Sequence, residues 1–241
     1  MPKREGHGFG AYLLPLVSFL LILEIKGRLP DEVLPYVLPL QVVIPGAIFL
    51  HYALRGSFEE LRSFRARPGE IALDVLIGIA GAVLWMAPFV LIDSVRQVDA
   101  GGFDPEQFGG SLVWLALGIR AIGYGVVTPF IEELFVRSWL LRYLEVFDRR
   151  KDFRDVPIAH FAWRSFIGVM IFFTFSHVPW EWPVMFAWAL GTQLWFYHRK
   201  QVAALVIVHA TTNLSIFFFC VLANNRLLDG QGNPISLWFF I

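Results

Sequence analysis

Eight predominantly apolar runs, several of them long enough to cross a lipid bilayer, follow one another along this chain of 241 residues. Because no water inside a bilayer can satisfy exposed backbone groups, such runs must form helices of about 20 residues. Of all residues, 56% are hydrophobic and only 17% are charged, against about a quarter charged in a soluble domain. The chain is therefore predicted to be all-α, a polytopic membrane bundle of about seven or eight transmembrane helices. The runs are residues 11–25, 34–54, 70–92, 111–127, 129–147, 165–177, 183–198 and 201–223.

Charge and cysteine content exclude several classes of function. The 20 basic and 20 acidic side chains cancel, and no charged tail is present, so a nucleic-acid partner is not expected. Cys220 is the only cysteine, which excludes an internal disulfide and a cysteine-based zinc site. No linker or repeat divides the chain. Residues 1–241 are predicted to form a single membrane-embedded domain.

The distribution of basic residues predicts the orientation in the membrane. Arginine and lysine concentrate in segments 55–67 and 142–164, whereas segment 93–110 carries four acidic residues and one arginine. By the positive-inside rule, the two basic segments are cytoplasmic and the acidic one lies on the opposite side. Residues 111–147 conflict with this pattern if they cross twice, yet they are too long for one straight span. We expect a kinked or partly re-entrant pair of helices there.

The most informative segment places three charged residues within six positions of an apolar run: Glu132, Glu133 and Arg137. A charge in a membrane helix costs about 2.5–3.5 kcal/mol on insertion, so each needs a partner or a task. Thr128 and Pro129 predict a new helix, with Thr128 as its N-cap and both glutamates near the first turn, where the dipole favours carboxylates. Glu133 and Arg137 are four residues apart, so they can form an ion pair on one helix face, whereas Glu132 points elsewhere and lacks this partner. The alternative is an ion-pair cluster that only orders helix packing.

Two histidine motifs follow in later apolar runs. Phe173 precedes His177 by one helical turn and can shield and orient its ring, although His177 can equally be an interfacial residue. His209 and Asn213 share one helix face, where they can join helices by hydrogen bonds or donate to an oxyanion. Arg120 also lies in an apolar run, where it can pair with a carboxylate or extend towards the interface.

Together these residues indicate a hydrolytic site that lacks a side-chain nucleophile. The chain has no serine in a nucleophile elbow and no HExxH zinc motif. Water is the remaining nucleophile: Glu132 and His177 can deprotonate it, and His209 and Asn213 can donate to the oxyanion that forms. This combination predicts amide hydrolysis inside a membrane.

The order and spacing of these motifs resemble the CPBP family, the CAAX-protease and bacteriocin-processing group of intramembrane glutamic endopeptidases. This family includes the Ras-converting CAAX endoprotease, which removes the last three residues of prenylated proteins. The motifs that carry the resemblance are Glu132-Glu133-x-x-x-Arg137, Phe173-x-x-x-His177 and His209-x-x-x-Asn213.

The resemblance implies a bundle of about eight helices whose catalytic core covers residues 110–223. Carried over to this chain, it makes Glu132 the water-activating carboxylate assisted by His177. The pair of Glu133 with Arg137 then holds the site in shape, and an oxyanion hole is formed by His209 and Asn213. No cofactor is expected, although the two histidines and a glutamate could alternatively ligate zinc.

The implied partners are the lipid bilayer and a membrane-associated peptide or protein substrate, lipidated or not. The function expected is CAAX-type C-terminal processing or maturation of a membrane-associated peptide, by a multi-pass integral protein of a prokaryotic cell membrane. A different class stays open: a non-proteolytic membrane protein, either a proton-coupled transporter or a bacteriocin-immunity or scaffold protein.

Overall fold

Helices form almost all of the regular structure. The computed structural model describes residues 8–96, 102–149 and 151–241, and within these ranges it contains helices and no β-strand. Short 3₁₀ turns connect several of the helices. The helices are α1 (Phe9–Lys26), α2 (Leu34–Leu54), α3 (Glu59–Arg62), α4 (Pro68–Leu91), α5 (Leu112–Val146), α6 (Trp163–Phe175), α7 (Trp182–Arg199) and α8 (Val202–Ala223).

The outer faces of the bundle are apolar. In the described ranges, five helices are long and apolar enough to cross a membrane, namely α1, α2, α4, α5 and α8, and α6 is a shorter apolar helix. Leu54, Leu91 and Trp114 expose 79%, 78% and 73% of their surface, as is typical of helix faces that contact lipid. The predicted class, an all-α polytopic membrane bundle, is confirmed.

Helix α5 is continuous over 35 residues and corrects one prediction. Thr128 has helical dihedral angles, φ −57° and ψ −50°, so it is not an N-cap, and the expected break at Thr128 and Pro129 is wrong. Widened π turns lie at Gly123–Val127 and Leu134–Leu140, on either side of the two glutamates. The first of them accommodates the proline, since the Thr128 N–H bonds to the Gly123 carbonyl five residues earlier and not to the carbonyl four residues earlier.

The continuity of α5 also changes the expected topology. At 1.5 Å per residue the helix is about 52 Å long, longer than the roughly 30 Å hydrocarbon core. A continuous helix of this length suits one crossing that extends beyond the membrane, and one crossing would put the acidic segment 93–110 and the basic segment 142–164 on opposite sides. The re-entrant pair that we expected is absent from α5. Glu132 and Glu133 lie well inside the helix, so its N-terminal dipole does not act on them.

Helix α8 is the most buried of the five long spans and organises the core. It packs closely on α4 at Gly78, where an added Cβ would lie 2.6 Å from the Val208 carbonyl oxygen. The Thr212 hydroxyl donates to the Gly78 carbonyl at 3.0 Å. This close approach fixes α8 against the bundle, so that His209 and Asn213 face α5.

A buried ion pair joins α4 to α7. Arg199 Nη2 lies 3.0 Å from the Asp74 carboxylate, which is fully buried, and Trp195 Nε1 donates to the same carboxylate at 2.8 Å. These bonds hold α7 in register with α4, and α7 carries further residues that contact the glutamate pair.

Candidate active site

Glu133 is fully buried and has two polar partners, Arg137 and His209. Its Oε2 lies 3.2 Å from Arg137 Nε, the pair that the i,i+4 spacing predicts, and neither side chain is exposed. Arg137 Nη2 also donates to the Thr192 hydroxyl of α7 at 3.0 Å. The second carboxylate oxygen of Glu133 lies 3.0 Å from His209 Nδ1. Glu133 thus links α5 directly to α8, and through Arg137 to α7.

Glu132 occupies a different setting. Its side chain is 21% exposed, and His209 Nε2 lies 3.9 Å from its Oε2. Among the described residues, no side chain or backbone group forms a hydrogen bond with the Glu132 carboxylate. The two adjacent glutamates therefore differ. Both oxygens of Glu133 accept hydrogen bonds, whereas Glu132 is accessible and has no hydrogen-bond partner among the described residues.

His209 lies between the two carboxylates, and its hydrogen bond to Glu133 defines the tautomer of the neutral ring. An ionised Glu133 can only accept, so Nδ1 of His209 carries the hydrogen in their 3.0 Å contact. In a neutral ring Nε2 then keeps its lone pair, and Nε2 can donate only in the imidazolium form. The ring packs edge-on against Trp188 at 4.9 Å, which sets its orientation. Nε2, the ring atom that faces Glu132, can therefore donate a hydrogen bond only when His209 is positively charged.

Asn213 contacts the first π turn of α5. Its Nδ2 donates to the Tyr124 carbonyl at 2.8 Å. In a π turn this carbonyl would pair with the N–H of residue 129, but Pro129 has none. Asn213 satisfies the carbonyl that the proline leaves without a donor, and the second N–H of its amide stays available for a ligand.

His177 follows the C-terminus of α6. Its Nδ1 lies 3.1 Å from the Phe173 carbonyl oxygen, an acceptor, so the neutral ring keeps its lone pair on Nε2. The ring packs against Trp85 at 5.7 Å. Within the described residues, His177 forms no hydrogen bond or ion pair with Glu132 or His209.

The Phe173 side chain has a different neighbour from the one expected. Its ring lies under the Arg137 guanidinium at 4.8 Å and against Trp188 at 5.9 Å. Its carbonyl, and not its ring, orients His177. Phe173 therefore joins the histidine motif to the arginine of the glutamate motif.

Three contributors to this site were not identified from the sequence: Tyr124, Trp188 and Thr192. Trp188 and Thr192 lie one turn apart on α7, a spacing that could have suggested a shared face. Nothing in the sequence marks the backbone carbonyl of Tyr124. In the described part of the chain, no group of three or more His, Cys, Asp or Glu side chains is arranged to hold a metal ion.

Residues 113–215 match a family model described as type II CAAX prenyl endopeptidase Rce1-like. The resemblance to the CPBP family is confirmed. All three motifs lie inside the matched segment, and so do both π turns of α5. No curated protein and no solved structure matches the chain. The match to this family model, together with five helices long and apolar enough to span a membrane, supports an integral membrane protein with a membrane protease function.

Proposed function

We propose that this CAAX protease family member is an intramembrane glutamic endopeptidase in which Glu132 activates a water molecule. One observation carries the proposal: the two adjacent glutamates have unequal settings. Glu133 is fully buried between Arg137 and His209, whereas Glu132 is accessible and has no hydrogen-bond partner among the described residues. A free carboxylate inside a membrane is expensive, and general-base catalysis gives it a task.

The first step is the attack of water on a peptide carbonyl. Glu132 removes a proton from the water, and the oxygen forms a bond to the carbonyl carbon while the carbonyl oxygen takes the negative charge. His177 keeps an unprotonated Nε2 because its Nδ1 hydrogen is bound to the Phe173 carbonyl. It can therefore accept a second hydrogen bond from the same water and orient it.

The second step is the collapse of the tetrahedral intermediate. His209 in its imidazolium form would donate from Nε2 to the oxyanion, and the Glu133 carboxylate stabilises that positive charge through Nδ1. The remaining N–H of Asn213 is a second donor. Protonated Glu132 then returns its proton to the leaving nitrogen as the carbon–nitrogen bond breaks, which restores the Glu132 carboxylate.

The substrate class follows from the setting and the family. The large apolar side chains on the outer faces of α1, α2, α4 and α8 support a site within a bilayer, whose substrate would reach it from the membrane or its surface. The matching family model is described by its prenyl endopeptidase activity. We therefore propose C-terminal processing of a membrane-associated peptide or protein, with a prenylated cysteine before the scissile bond.

The test compares two conservative variants of the purified full chain in detergent. The probe is an internally quenched peptide with a farnesylated cysteine followed by three apolar residues. Wild type should cleave it, and Glu132→Gln should lower kcat by at least about 10²-fold because the base is lost. Thr211→Ser, a change in a partly exposed residue that the mechanism does not use, is the control and should keep wild-type activity. Activity of Glu132→Gln within a few-fold of wild type would overturn the assignment.

A further inference from the structure

A polar pocket with a volume of about 640 Å³ lies where α1 begins and where α2 and α5 end. This volume falls within the range of about 300–1,000 Å³ that is typical of sites for small molecules. The lining comes from residues within 8–12, 52–63 and 154–158, and from Arg142 of α5. Within the described ranges, none of the candidate catalytic residues lines the pocket, so the proposed hydrolysis gives it no role.

Arg142 supplies a buried positive charge to the wall of this pocket and is only 6% exposed. Its Nε donates to the Ser138 carbonyl, and its Nη2 donates to the Ser138 hydroxyl at 2.7 Å. The guanidinium also lies over the Phe153 ring at 5.0 Å. Because a guanidinium has five N–H groups, these contacts leave Nη1 without an acceptor among the described residues. A buried arginine with unused donors at a pocket wall suits a phosphate or carboxylate oxygen.

Two carboxylates also line the pocket and balance its charge. Glu60 accepts a hydrogen bond from the same serine hydroxyl that the guanidinium contacts. Glu59 is exposed and forms no ion pair with any described residue. The second lining arginine, Arg154, donates from Nε to the Asp152 carboxylate at 2.9 Å. A purely anionic ligand would be repelled by the carboxylates, whereas a ligand with both a phosphate and an ammonium group matches charges of both signs.

An apolar groove adjoins the polar pocket. It lies between α1 and α2, has a volume of about 520 Å³, and its α1 wall includes the exposed side chains of Leu14, Val17 and Leu21. Tyr52 lines both the pocket and the groove, so the two cavities meet at this ring. A further shallow cavity shares Val17 and Leu21 and extends the apolar surface to Leu23. A polar pocket at the ends of membrane helices, followed by an apolar groove along them, matches the headgroup and acyl chain of a phospholipid.

From these adjoining cavities we propose that the chain binds a phospholipid whose headgroup combines a phosphate with a primary ammonium group, as in phosphatidylethanolamine. The phosphate lies against Nη1 of Arg142, the ammonium group against Glu59, and one acyl chain in the groove between α1 and α2. The site does not depend on the proposed endopeptidase activity. Ser138, which Arg142 contacts, follows Arg137 directly in the second π turn of α5. Bound lipid therefore supports the part of α5 that carries the glutamate–arginine pair.

A competition experiment tests the headgroup. The purified full chain in detergent is mixed with equal amounts of phosphatidylethanolamine, phosphatidylcholine and phosphatidylglycerol that carry the same acyl chains, and native mass spectrometry identifies the bound lipid. Wild type should retain phosphatidylethanolamine about 10-fold over the other two, because choline has no N–H to donate and phosphatidylglycerol has no cation. Equal retention of the three lipids, or a preference for phosphatidylglycerol, overturns the proposal.

Two variants of the pocket test its charged contacts. Glu59→Gln changes an exposed side chain, so the protein should fold normally and lose the preference for phosphatidylethanolamine over phosphatidylcholine. Its matched control, Glu106→Gln, removes an exposed carboxylate of the acidic segment and should keep the wild-type preference. Arg142→Gln should lower retention of phosphatidylethanolamine about 10-fold through loss of the phosphate contact. An unchanged preference in Glu59→Gln overturns the proposal even if Arg142→Gln, which also loses the bonds to Ser138, does not fold.

Two further measurements distinguish a lipid from a soluble ligand with the same headgroup. Glycerophosphoethanolamine, titrated calorimetrically, should bind at least about 10-fold more weakly than the lipid, because it has no acyl chain to bury. Ala47→Phe fills the groove and should weaken lipid retention without changing the affinity for glycerophosphoethanolamine. The matched control, Val43→Phe, lies one turn earlier on α2 at an exposed position outside the groove and should change neither. Equal affinities for the two ligands, with no effect of Ala47→Phe, would assign the pocket to a soluble phosphate ester and overturn the proposal.

Discussion

Glu132 and Glu133 are neighbours in sequence, but removing each charge should affect the folded protein differently. Glu133→Gln leaves the buried Arg137 without its carboxylate and should lower the free energy of unfolding by about 3–5 kcal/mol. Glu132→Gln removes a carboxylate that has no hydrogen-bond partner in the described structure and should leave stability unchanged. Thermal unfolding of the two purified variants in detergent measures the difference.

A double variant provides the control for this comparison. Glu133→Leu with Arg137→Met replaces both charges by apolar side chains, so it should recover much of the stability that Glu133→Gln loses. It should stay inactive, since His209 then lacks the carboxylate that stabilises its charged form. Equal unfolding temperatures for Glu132→Gln and Glu133→Gln would show that the two settings do not differ energetically.

The setting of the candidate ligands also predicts how a chelator acts. Both oxygens of Glu133 accept hydrogen bonds, one of them from Nδ1 of His209. These three atoms are therefore already engaged and not available to ligate a metal ion. Dialysis against a strong chelator should therefore leave cleavage of the farnesylated peptide unchanged. Loss of activity that only zinc restores would contradict the water-activation mechanism and favour metal catalysis.

At the scale of the helix, the π turn at Gly123–Val127 depends on Asn213. Asn213→Ala removes the donor to the Tyr124 carbonyl and should lower the free energy of unfolding by about 1–3 kcal/mol, besides lowering kcat. Pro129→Ala adds a backbone N–H that can pair with the same carbonyl. The double variant should therefore regain stability without regaining activity.

The measurement is a double-mutant cycle with unfolding and cleavage followed in parallel. A coupling free energy near zero would show that Pro129 and Asn213 act independently on the carbonyl. Recovery of kcat in the double variant would mean that Asn213 supports the turn and does not contact the oxyanion.

The sequence predicted some of these features for clear physical reasons. Apolar length predicts membrane helices, because the bilayer imposes both the length and the hydrogen bonding. The i,i+4 spacing of Glu133 and Arg137 predicts their ion pair, which depends only on local geometry. The charged cluster and the histidine motifs lie on helices that the structure brings together, since His209 of α8 and Phe173 of α6 both contact the glutamate–arginine motif of α5.

Other features could not be read from the sequence. Thr128 and Pro129 carry the usual signals of a helix start, and a proline that follows a π turn inside a longer helix carries the same signals. The contact of Thr192 with Arg137 joins residues 55 positions apart, and one threonine in an apolar helix is unremarkable in sequence. Such contacts are set by how α5, α7 and α8 pack.

At the scale of the whole molecule, a single crossing by α5 fixes which loops share a side. In a Cys220→Ser background, single cysteines at Ser63 and Lys151 should resist an impermeant maleimide in intact cells, and one at Gln107 should react. Ser63, Lys151 and Gln107 are all exposed, so burial does not explain a difference. The serine at position 220 can keep the hydrogen bond to the Leu237 carbonyl that the thiol makes.

The outcome of labelling distinguishes two orientations of the active site. Protection at Ser63 and Lys151 places the basic segments in the cytoplasm, as the positive-inside rule predicts. Reaction at Lys151 together with protection at Gln107 would show that the helices of the candidate site have the opposite orientation in the membrane. Substrates anchored in the outer leaflet would then be the expected class.

The shortness of α6 has a consequence for the surrounding lipid. With 13 residues the helix is about 20 Å long, roughly 10 Å less than an average hydrocarbon core, and His177 follows its end directly. Lipids next to such a helix compress, because exposing the polar end of α6 to acyl chains costs more than thinning the bilayer. Headgroups and water would thereby be drawn towards His177. If His177 orients the attacking water as proposed, the acyl-chain length of the host membrane should influence turnover, with faster hydrolysis expected in thin bilayers than in thick ones.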